Sequence, residues 1–206
     1  MRVRWRLMVT AAALVCSAVF VPVSAQASAT DEVKKTVDEV IRIVSDKELK
    51  KPQNENKRRR ELKAAVGKIF DYAEMAQRSM GRHWKDRSTA EKKKFVQLFE
   101  TLLENSYAGK IESYNQEKII HQKETVDGEY AEVKSKLVTA KRDEYAIDYR
   151  LMNKGGRWMV YDVVIEGVSM VSNYRTQFNK IITGQGYDEL VKKLRTKSEE
   201  VTAPQL

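Results

Sequence analysis

Thiols and imidazoles are nearly absent from this sequence. The 206-residue chain contains one cysteine, Cys16, and two histidines, His83 and His121. A single cysteine cannot form an intramolecular disulfide. Cys16 also lies in a segment that we expect to be removed, so the mature chain would have no cysteine to bind zinc. Neither histidine stands in a spaced cluster of carboxylates, so we predict no metal site and no cofactor.

Sequence motifs for catalysis and nucleotide binding are also missing. The chain has no Gly-x-Ser-x-Gly elbow, no phosphate-binding loop and no dinucleotide glycine pattern. One catalytic hypothesis remains, in which Asp148 or Asp162 is a general base in a sheet-lined pocket. Tyr149 or Tyr161 would then donate a hydrogen bond to an oxyanion. Nothing in the spacing singles out these residues, and an exposed aspartate and a core tyrosine are the commoner interpretation.

The N-terminus carries three arginines and no acidic residue before a broken apolar stretch. This stretch, Leu7 to Val23, is short for a transmembrane helix and is typical of a secretory signal peptide. Ala25 and Ala27 supply small residues at the positions that a signal peptidase recognises. We therefore predict a signal peptide over residues 1–27 and a single domain over residues 28–206. A lipoprotein signal ending at Cys16 fits less well, because the residue before the cysteine is not small.

Positive charge remains after removal of the predicted signal peptide. The formal net charge of the full chain is +9, and loss of three arginines leaves about +6, which favours anionic surfaces or ligands. Nucleic acid is a poor candidate for an exported protein, so we expect none among the partners. The basic run over residues 57–60 is interpreted as a solvated helix face, with a membrane or lipid-headgroup patch as the alternative.

Helical periodicity dominates the first half of the chain. Apolar residues at helical spacing predict a helix from Thr30 to about Ser45. A second helical pattern covers residues 64–84, with Gly81 as a stop signal. The run Ser88-Thr89-Ala90-Glu91 is a capping-box pattern and predicts the start of another amphipathic helix.

Alternating apolar residues replace the helical period after Asn115, and two helices follow them. The predicted strands cover residues 117–126, 129–139, 143–152 and 157–165. The last strand is apolar on both faces, with Val160 and Val164 on one face and Val163 and Ile165 on the other, so we expect it to be central. This order of elements predicts an α+β fold, in which helices pack on an antiparallel sheet of about four strands.

Two separated segments resemble the MlaC family of the maintenance-of-lipid-asymmetry pathway, also called toluene-tolerance auxiliary proteins. The segments are FDYAEMAQRSMGRHW, from Phe70 to Trp84, and YDVVIEGVSMVSNYRTQF, from Tyr161 to Phe178. The matching positions are Phe70-Asp71, Met75-Ala76, Gly81, Trp84, Asp162, Glu166-Gly167, Ser169, Asn173-Tyr174-Arg175 and Phe178. The family has a leucine where this chain has Met80, which fills a similar volume.

The resemblance implies a monomeric phospholipid carrier in the periplasm, without enzymatic activity. Its partners would be an outer-membrane lipoprotein-porin complex and an inner-membrane ABC transporter complex with a lipid-binding ring subunit. The implied fold is similar to the nuclear-transport-factor-two-like cone, a curved sheet closed by helices around a deep apolar cavity. Acyl chains that leave a bilayer must stay out of water, at about 0.8 kcal/mol per methylene, so we expect them to be fully enclosed.

On this interpretation, lipid-binding side chains come from one helix, the sheet and the last wall. They are Phe95, Phe99, Leu102, Leu103, Ile147, Tyr149, Val160, Val164, Val168, Val171, Tyr174 and Phe178. Arg175 is a candidate headgroup contact, and an ion pair of Arg175 with Glu166 or Asp162 is the alternative. Apolar stripes are also compatible with an ordinary filled core.

Two other functions remain as alternatives. A periplasmic enzyme on the same fold requires a carboxylate inside the pocket. A chaperone for apolar segments of outer-membrane proteins predicts an open apolar groove in place of a deep cavity.

Overall fold

Helices precede and follow one sheet in residues 27–202, which the computed structural model describes, with side chains through residue 197. The α-helices are α1 (Ala29–Ser45), α2 (Glu55–Val66), α3 (Tyr72–Met80), α4 (Thr89–Glu112), α5 (Met170–Gln185) and α6 (Tyr187–Thr202). Short 3-10 helices cover Pro52–Asn54 and Gly81–Trp84. The strands are β1 (Lys118–Asp127), β2 (Tyr130–Val138), β3 (Glu144–Lys154), β4 (Arg157–Ile165) and β5 (Val168–Ser169). The predicted signal peptide, except for its last residue, lies outside the described residues.

The sheet is antiparallel, with its strands in the order β1-β2-β3-β4-β5. This meander between helices confirms the predicted α+β fold, and the fifth strand adds two residues to the four strands that the sequence indicates. The expectation that β4 is central is wrong, because its outer neighbour is the short β5. Its apolar character has another cause, since Ile69–Asp71 covers its outer edge and both α3 and α5 contact it.

The helical pattern over residues 64–84 is interrupted between α2 and α3. The backbone N–H of Val160 donates to the carbonyl of Ile69 at 2.7 Å, and that of Asp71 donates to the carbonyl of Val160 at 2.8 Å. The Asp71 carboxylate then accepts from the backbone N–H of Glu74 at 3.0 Å and caps α3. The prediction of one helix here is wrong, because pairing with a distant strand overrides the local spacing. The predicted stop at Gly81 is confirmed, with φ at +52°.

Capping boxes begin the two helices α1 and α4. The predicted box at Ser88 is confirmed, because its Oγ accepts from the N–H of Glu91 at 3.3 Å and its own N–H donates to the Glu91 carboxylate at 2.7 Å. Ser28 and Asp31 form the same arrangement at α1, so this helix begins slightly earlier than the expected Thr30. Both caps satisfy backbone donors that would otherwise lack partners.

Three groups of buried apolar side chains hold the described part of the molecule together, and the third and smallest consists of Ile43, Val44, Leu49, Leu62 and Ala65, on and between α1 and α2. The first, which we call the packed cluster, is formed by side chains of the four helices α3, α4, α5 and α6. Its members are Met75, Ala76, Met80, Phe95, Phe99, Leu102, Leu103, Val171, Phe178, Leu190 and Leu194. The second, the sheet cluster, joins α1 to the strands through Ala29, Val33, Ile69, Ala131, Val133, Leu151, Trp158, Val160 and Val163. No helix within residues 27–202 is long and apolar enough to cross a membrane.

Candidate functional site

A cavity of about 760 Å³ lies between α1, α2, the second half of α4 and one face of the sheet. Ligand pockets in proteins usually range from roughly 300 to 1,000 Å³. The wall formed by α1 consists of Val33, Thr36, Val37, Val40, Ile41 and Val44. Strand residues form the opposite wall: Ile119, Leu137, Tyr145, Ile147, Tyr149, Val160, Val163 and Ile165. Apolar residues of α2 and α4 complete it: Leu62, Val66, Leu103, Tyr107, Ala108 and Ile111.

A β-bulge determines which side chains of β4 reach this cavity. The pairing of β3 with β4 skips Tyr161, which is therefore the extra residue of the bulge. Val160, Val163 and Ile165 line the cavity, and Val164 does not. Strict alternation puts Val160 and Val164 on one face, so the predicted faces of β4 are wrong beyond the bulge.

The structure divides the predicted lipid-binding residues into two groups. Those in the cavity wall are Leu103, Ile147, Tyr149 and Val160. Those outside the wall are Phe95, Phe99, Leu102, Val164, Val168, Val171, Tyr174 and Phe178. Most of the second group belong to the packed cluster or pack against it, and Val168 is on the surface with 61% exposure. The lipid contacts of all these residues stay predictions.

Aromatic rings fill the space inside the packed cluster. The ring centroids of Phe95 and Phe178 lie 5.7 Å apart, those of Phe99 and Phe178 5.8 Å, and those of Phe99 and Tyr174 5.4 Å. Each of these pairs meets edge to face, the arrangement that aromatic pairs favour. This side of α4 is therefore a filled core, and the cavity lies nearer the helix's C-terminal end.

The α1 valines are the main wall residues that sequence reasoning missed. Their spacing predicts an apolar face of a helix, but that pattern does not distinguish a face packed on a core from a face on a void. Val163 and Ile165 were missed because of the bulge. Glu104, Asn105 and Tyr72 also line the cavity, and no motif pointed to these polar residues.

Burial perturbs the titratable groups in the wall. It raises the pKa of Tyr149 to about 12. Burial is also the main cause that raises the pKa of Tyr72, with the Glu104 and Glu100 carboxylates adding to it. Burial raises the pKa of Glu104 too, against the opposing effect of Lys63, whose Nζ lies 2.9 Å from a Glu104 oxygen. Each shift disfavours charge inside the cavity.

The residues of the catalytic hypothesis do not meet in the cavity. Tyr149 lies in its wall, but Asp148, Asp162 and Tyr161 do not. Asp162 is 3% exposed, and its carboxylate accepts from the Ser169 hydroxyl at 2.6 Å and from a backbone N–H at the start of α5 at 3.0 Å. These contacts make Asp162 a structural link between β4 and α5. Residues 27–202 contain no group of three or more His, Cys, Asp or Glu that could hold a metal ion.

The predicted headgroup contact, Arg175, also lies outside the cavity wall. Its guanidinium donates to the Ser172 hydroxyl at 3.3 Å, and its side chain passes close to Gly81. The headgroup contact of Arg175 stays a prediction. The alternative ion pair is wrong, because the Glu166 carboxylate accepts from the backbone N–H of Ala146 and the ion-pair partner of Asp162 is an arginine of β3.

Comparison with known proteins assigns the chain to a family. Residues 34–196 match the family model described as MlaC protein. This chain belongs to the MlaC family. The match includes every cavity-lining residue except Val33, so the cavity lies within the MlaC-family region of the chain.

Relatives of this MlaC-family chain carry names that refer to phospholipids and to toluene tolerance. The intermembrane phospholipid transport system binding protein MlaC of Haemophilus influenzae is 29% identical over 126 residues, 59% of each chain. Toluene tolerance protein ttg2D of Pseudomonas putida is 26% identical over 129 residues, 62% of this chain and 60% of its own. The chain thus matches about three fifths of the length of both relatives.

One solved structure resembles the whole fold. It is the phospholipid-binding protein from Ralstonia solanacearum in complex with a phospholipid. The two chains share 25% identity and superpose with a TM-score of 0.77, which covers 86% of this chain and all of the other.

Proposed function

We propose that this protein is a periplasmic carrier that binds phospholipid and shuttles it between complexes of the outer and inner membranes. The observation that carries the proposal is an apolar cavity of about 760 Å³ within a chain of the MlaC family. Two names in the family support the choice of ligand. The Haemophilus relative is named for intermembrane phospholipid transport, and the Ralstonia protein was solved with a phospholipid.

The cavity has a size that ligand pockets commonly have, and its wall is mostly apolar, as acyl chains require. Its volume of about 760 Å³ lies within the usual range of roughly 300 to 1,000 Å³. We propose that it holds the acyl chains of one phospholipid. Leu103, Ile147, Tyr149 and Val160, together with the valines of α1, are the proposed acyl-chain contacts.

Transfer between membranes requires no chemical step. Acyl chains are out of water both in a bilayer and in the cavity, so the net free energy of transfer is small. Direction must then come from partners that bind the loaded and empty carrier with different affinities. We propose an outer-membrane lipoprotein-porin complex and an inner-membrane ABC transporter complex with a lipid-binding ring subunit as these partners. The carrier itself would be a monomeric, non-enzymatic domain over residues 28–206, after cleavage of residues 1–27.

Native mass spectrometry tests this proposal directly. The full chain is expressed with its own N-terminal segment and purified without detergent, and its intact mass and dissociated lipids are measured. We expect a chain beginning at residue 28 that carries one phospholipid. A lipid-free mass that persists after incubation with phospholipid vesicles would contradict the carrier function. A chain that still contains residues 1–27 would contradict the proposed cleavage.

A further inference from the structure

Six exposed side chains mark the mouth of the cavity. The cavity-lining residues that are exposed to solvent are Arg59, Arg60, Lys63, Lys110, Tyr145 and Ile165. Four of them are cations, and all four cations lie on α2 or α4. The two carboxylates that line the cavity, Glu104 and Glu117, are less exposed. The mouth therefore has a positively charged edge on its helical side and an apolar edge on the strand side.

Carboxylates already neutralise two of these cations. Lys63 pairs with two glutamates of α4, at 2.9 and 3.0 Å. Arg59 pairs with a glutamate of its own helix at 2.9 Å and with Glu112 of α4 at 3.7 Å. Arg60 and Lys110, in contrast, have no carboxylate within 4.0 Å among the described side chains. Mouth cations without a carboxylate partner are available to an anionic ligand.

The Arg59–Glu112 contact joins α2 to α4 at a seam beside the cavity mouth. Arg60 and Lys110 both line the cavity, one from each of these two helices. Positive charge without a carboxylate partner is therefore present on both helices at the mouth, where an anionic group of a bound ligand would meet it.

We propose that Arg60 and Lys110 bind the phosphate of the lipid headgroup, and that they make this carrier prefer anionic to zwitterionic phospholipids. The inference rests on the proposed function. The walls formed by α1 and the sheet are apolar, so the acyl chains fill that part of the cavity and the headgroup emerges where the wall becomes charged. A zwitterionic headgroup brings an ammonium group that these cations repel, and an anionic headgroup does not.

The residues of the basic run 57–60 do not share one environment, although the sequence pattern predicts a single solvated helix face. Arg58 is mostly buried, donates to the carbonyl of Leu49 at 2.7 Å and pairs with Glu112 at 3.3 Å, so its role is structural. Its neighbours Arg59 and Arg60 reach the cavity mouth instead. The lipid-headgroup alternative for this run therefore applies to Arg60, and not to the run as a whole.

A lipid competition experiment tests the preference. Excess vesicles of equimolar phosphatidylglycerol and phosphatidylethanolamine, with identical acyl chains, are incubated with the protein, which is then re-isolated for native mass spectrometry and lipid extraction. We expect the wild type to bind about three times more phosphatidylglycerol, because exposed ion pairs contribute modestly. In R60Q/K110Q the ratio should approach one at unchanged total occupancy. The preference should also weaken in high salt, which screens exposed charges.

A charge-matched variant controls for general attraction to anionic vesicles. K93Q/R195Q removes the same two charges from exposed positions outside the cavity wall and should keep the wild-type ratio. The single variants R60Q and K110Q should each give intermediate ratios, and they keep the test decisive if the double variant does not fold. An equal wild-type ratio, or a preference that survives in R60Q/K110Q, would overturn the inference while leaving the carrier function intact. Absence of any bound lipid would overturn the carrier function itself.

Inorganic phosphate carries the same charged group as the lipid headgroup, so a separate experiment must distinguish the two ligands. The competition is repeated with excess inorganic phosphate, against a chloride control at the same ionic strength. The wild-type ratio should be the same in both buffers, because a headgroup is held in place by its acyl chains and free phosphate is not. A preference that phosphate abolishes and chloride does not would identify a site for free phosphate and contradict the headgroup assignment.

Discussion

The packed cluster and the cavity wall are made of similar apolar side chains, yet the first is filled and the second encloses a void. In the packed cluster, the rings of Phe95, Phe99 and Phe178 lie within 5.7 to 6.1 Å of one another. The cavity wall instead presents the short valines of α1 to the strands. Close packing normally leaves few voids larger than a water molecule, so the cavity departs from the usual state of a protein interior. The wall also carries large side chains, such as those of Tyr107, Tyr145 and Tyr149, so the spacing of the elements makes this difference, and hydrophobicity does not.

Phe99→Ala should produce the largest effect, because it removes a ring from the filled region. Phe99 is fully buried and contacts aromatic rings on both α4 and α5. We expect the free energy of unfolding to fall by about 3–5 kcal/mol, as for other buried phenylalanines. Urea denaturation of lipid-free protein measures this change. A loss below about 1 kcal/mol would mean that the cluster is not a packed core.

Local sequence patterns predicted most of the fold, and long-range contacts caused the errors. The capping box at Ser88, the helix stop at Gly81 and the bounds of β4 depend on neighbouring residues, and the structure has all three. The break between α2 and α3 depends on pairing with Val160, far along the chain, which local periodicity cannot report.

The wall of the cavity was harder to predict than the strands that form it. A single bulge at Tyr161 exchanges the faces of the following residues, and nothing in the sequence of β4 marks it. The position of Phe95 and Phe99 outside the cavity wall has a different cause. An apolar stripe has the same pattern whether it meets a core or a void, so Phe95 and Phe99 resembled cavity residues as much as the valines of α1 did.

Adjacent leucines on α4 allow a matched test of the two regions. Leu102 and Leu103 are both buried members of the packed cluster, but Leu103 also lines the cavity and Leu102 does not. Leu102→Ala should lower the free energy of unfolding by about 2–5 kcal/mol. Leu103→Ala should cost less, because part of its surface already lacks partner atoms. Equal losses in urea denaturation of the lipid-free proteins would contradict the assignment of Leu103 to a void.

Tryptophan substitutions should have opposite effects in the two regions. Val171→Trp overfills the packed cluster and should lower the free energy of unfolding by about 1–3 kcal/mol, with lipid still bound. Val37→Trp projects into the cavity and should leave stability nearly unchanged. If the indole displaces about two methylenes of the ligand, worth about 0.8 kcal/mol each, lipid affinity falls roughly tenfold.

Native mass spectrometry and urea denaturation together measure both tryptophan variants. The two substitutions are each other's controls, since each replaces a valine by tryptophan and only the region differs. Undiminished lipid binding by a folded Val37→Trp variant would argue against acyl chains beside α1. Loss of lipid in a stable Val171→Trp variant would move the binding site toward the packed cluster.

The smallest effect should come from Glu104→Gln, which removes a charge from the cavity wall. Burial raises the pKa of Glu104 in the fold above its ordinary value of 4.5, and Lys63 only partly offsets that effect. The fold therefore favours the protonated carboxyl, and the ionised form lowers stability at pH 7. This cost disappears as the pH falls through the raised pKa toward 4.5, because Glu104 then takes up a proton in the folded protein first.

Glutamine resembles the protonated carboxyl, so it should remove that cost at neutral pH. We expect Glu104→Gln to be more stable than the wild type at pH 7 by less than about 1 kcal/mol, since the group is partly exposed. The difference should shrink between pH 7 and pH 5 in urea denaturation of lipid-free protein. Glu100→Gln removes the other carboxylate that pairs with Lys63, outside the cavity wall, and should not gain stability at pH 7. A Glu104→Gln variant that is less stable than the wild type at pH 7 would show that the ion pair with Lys63 outweighs burial, and that this part of the wall accommodates charge.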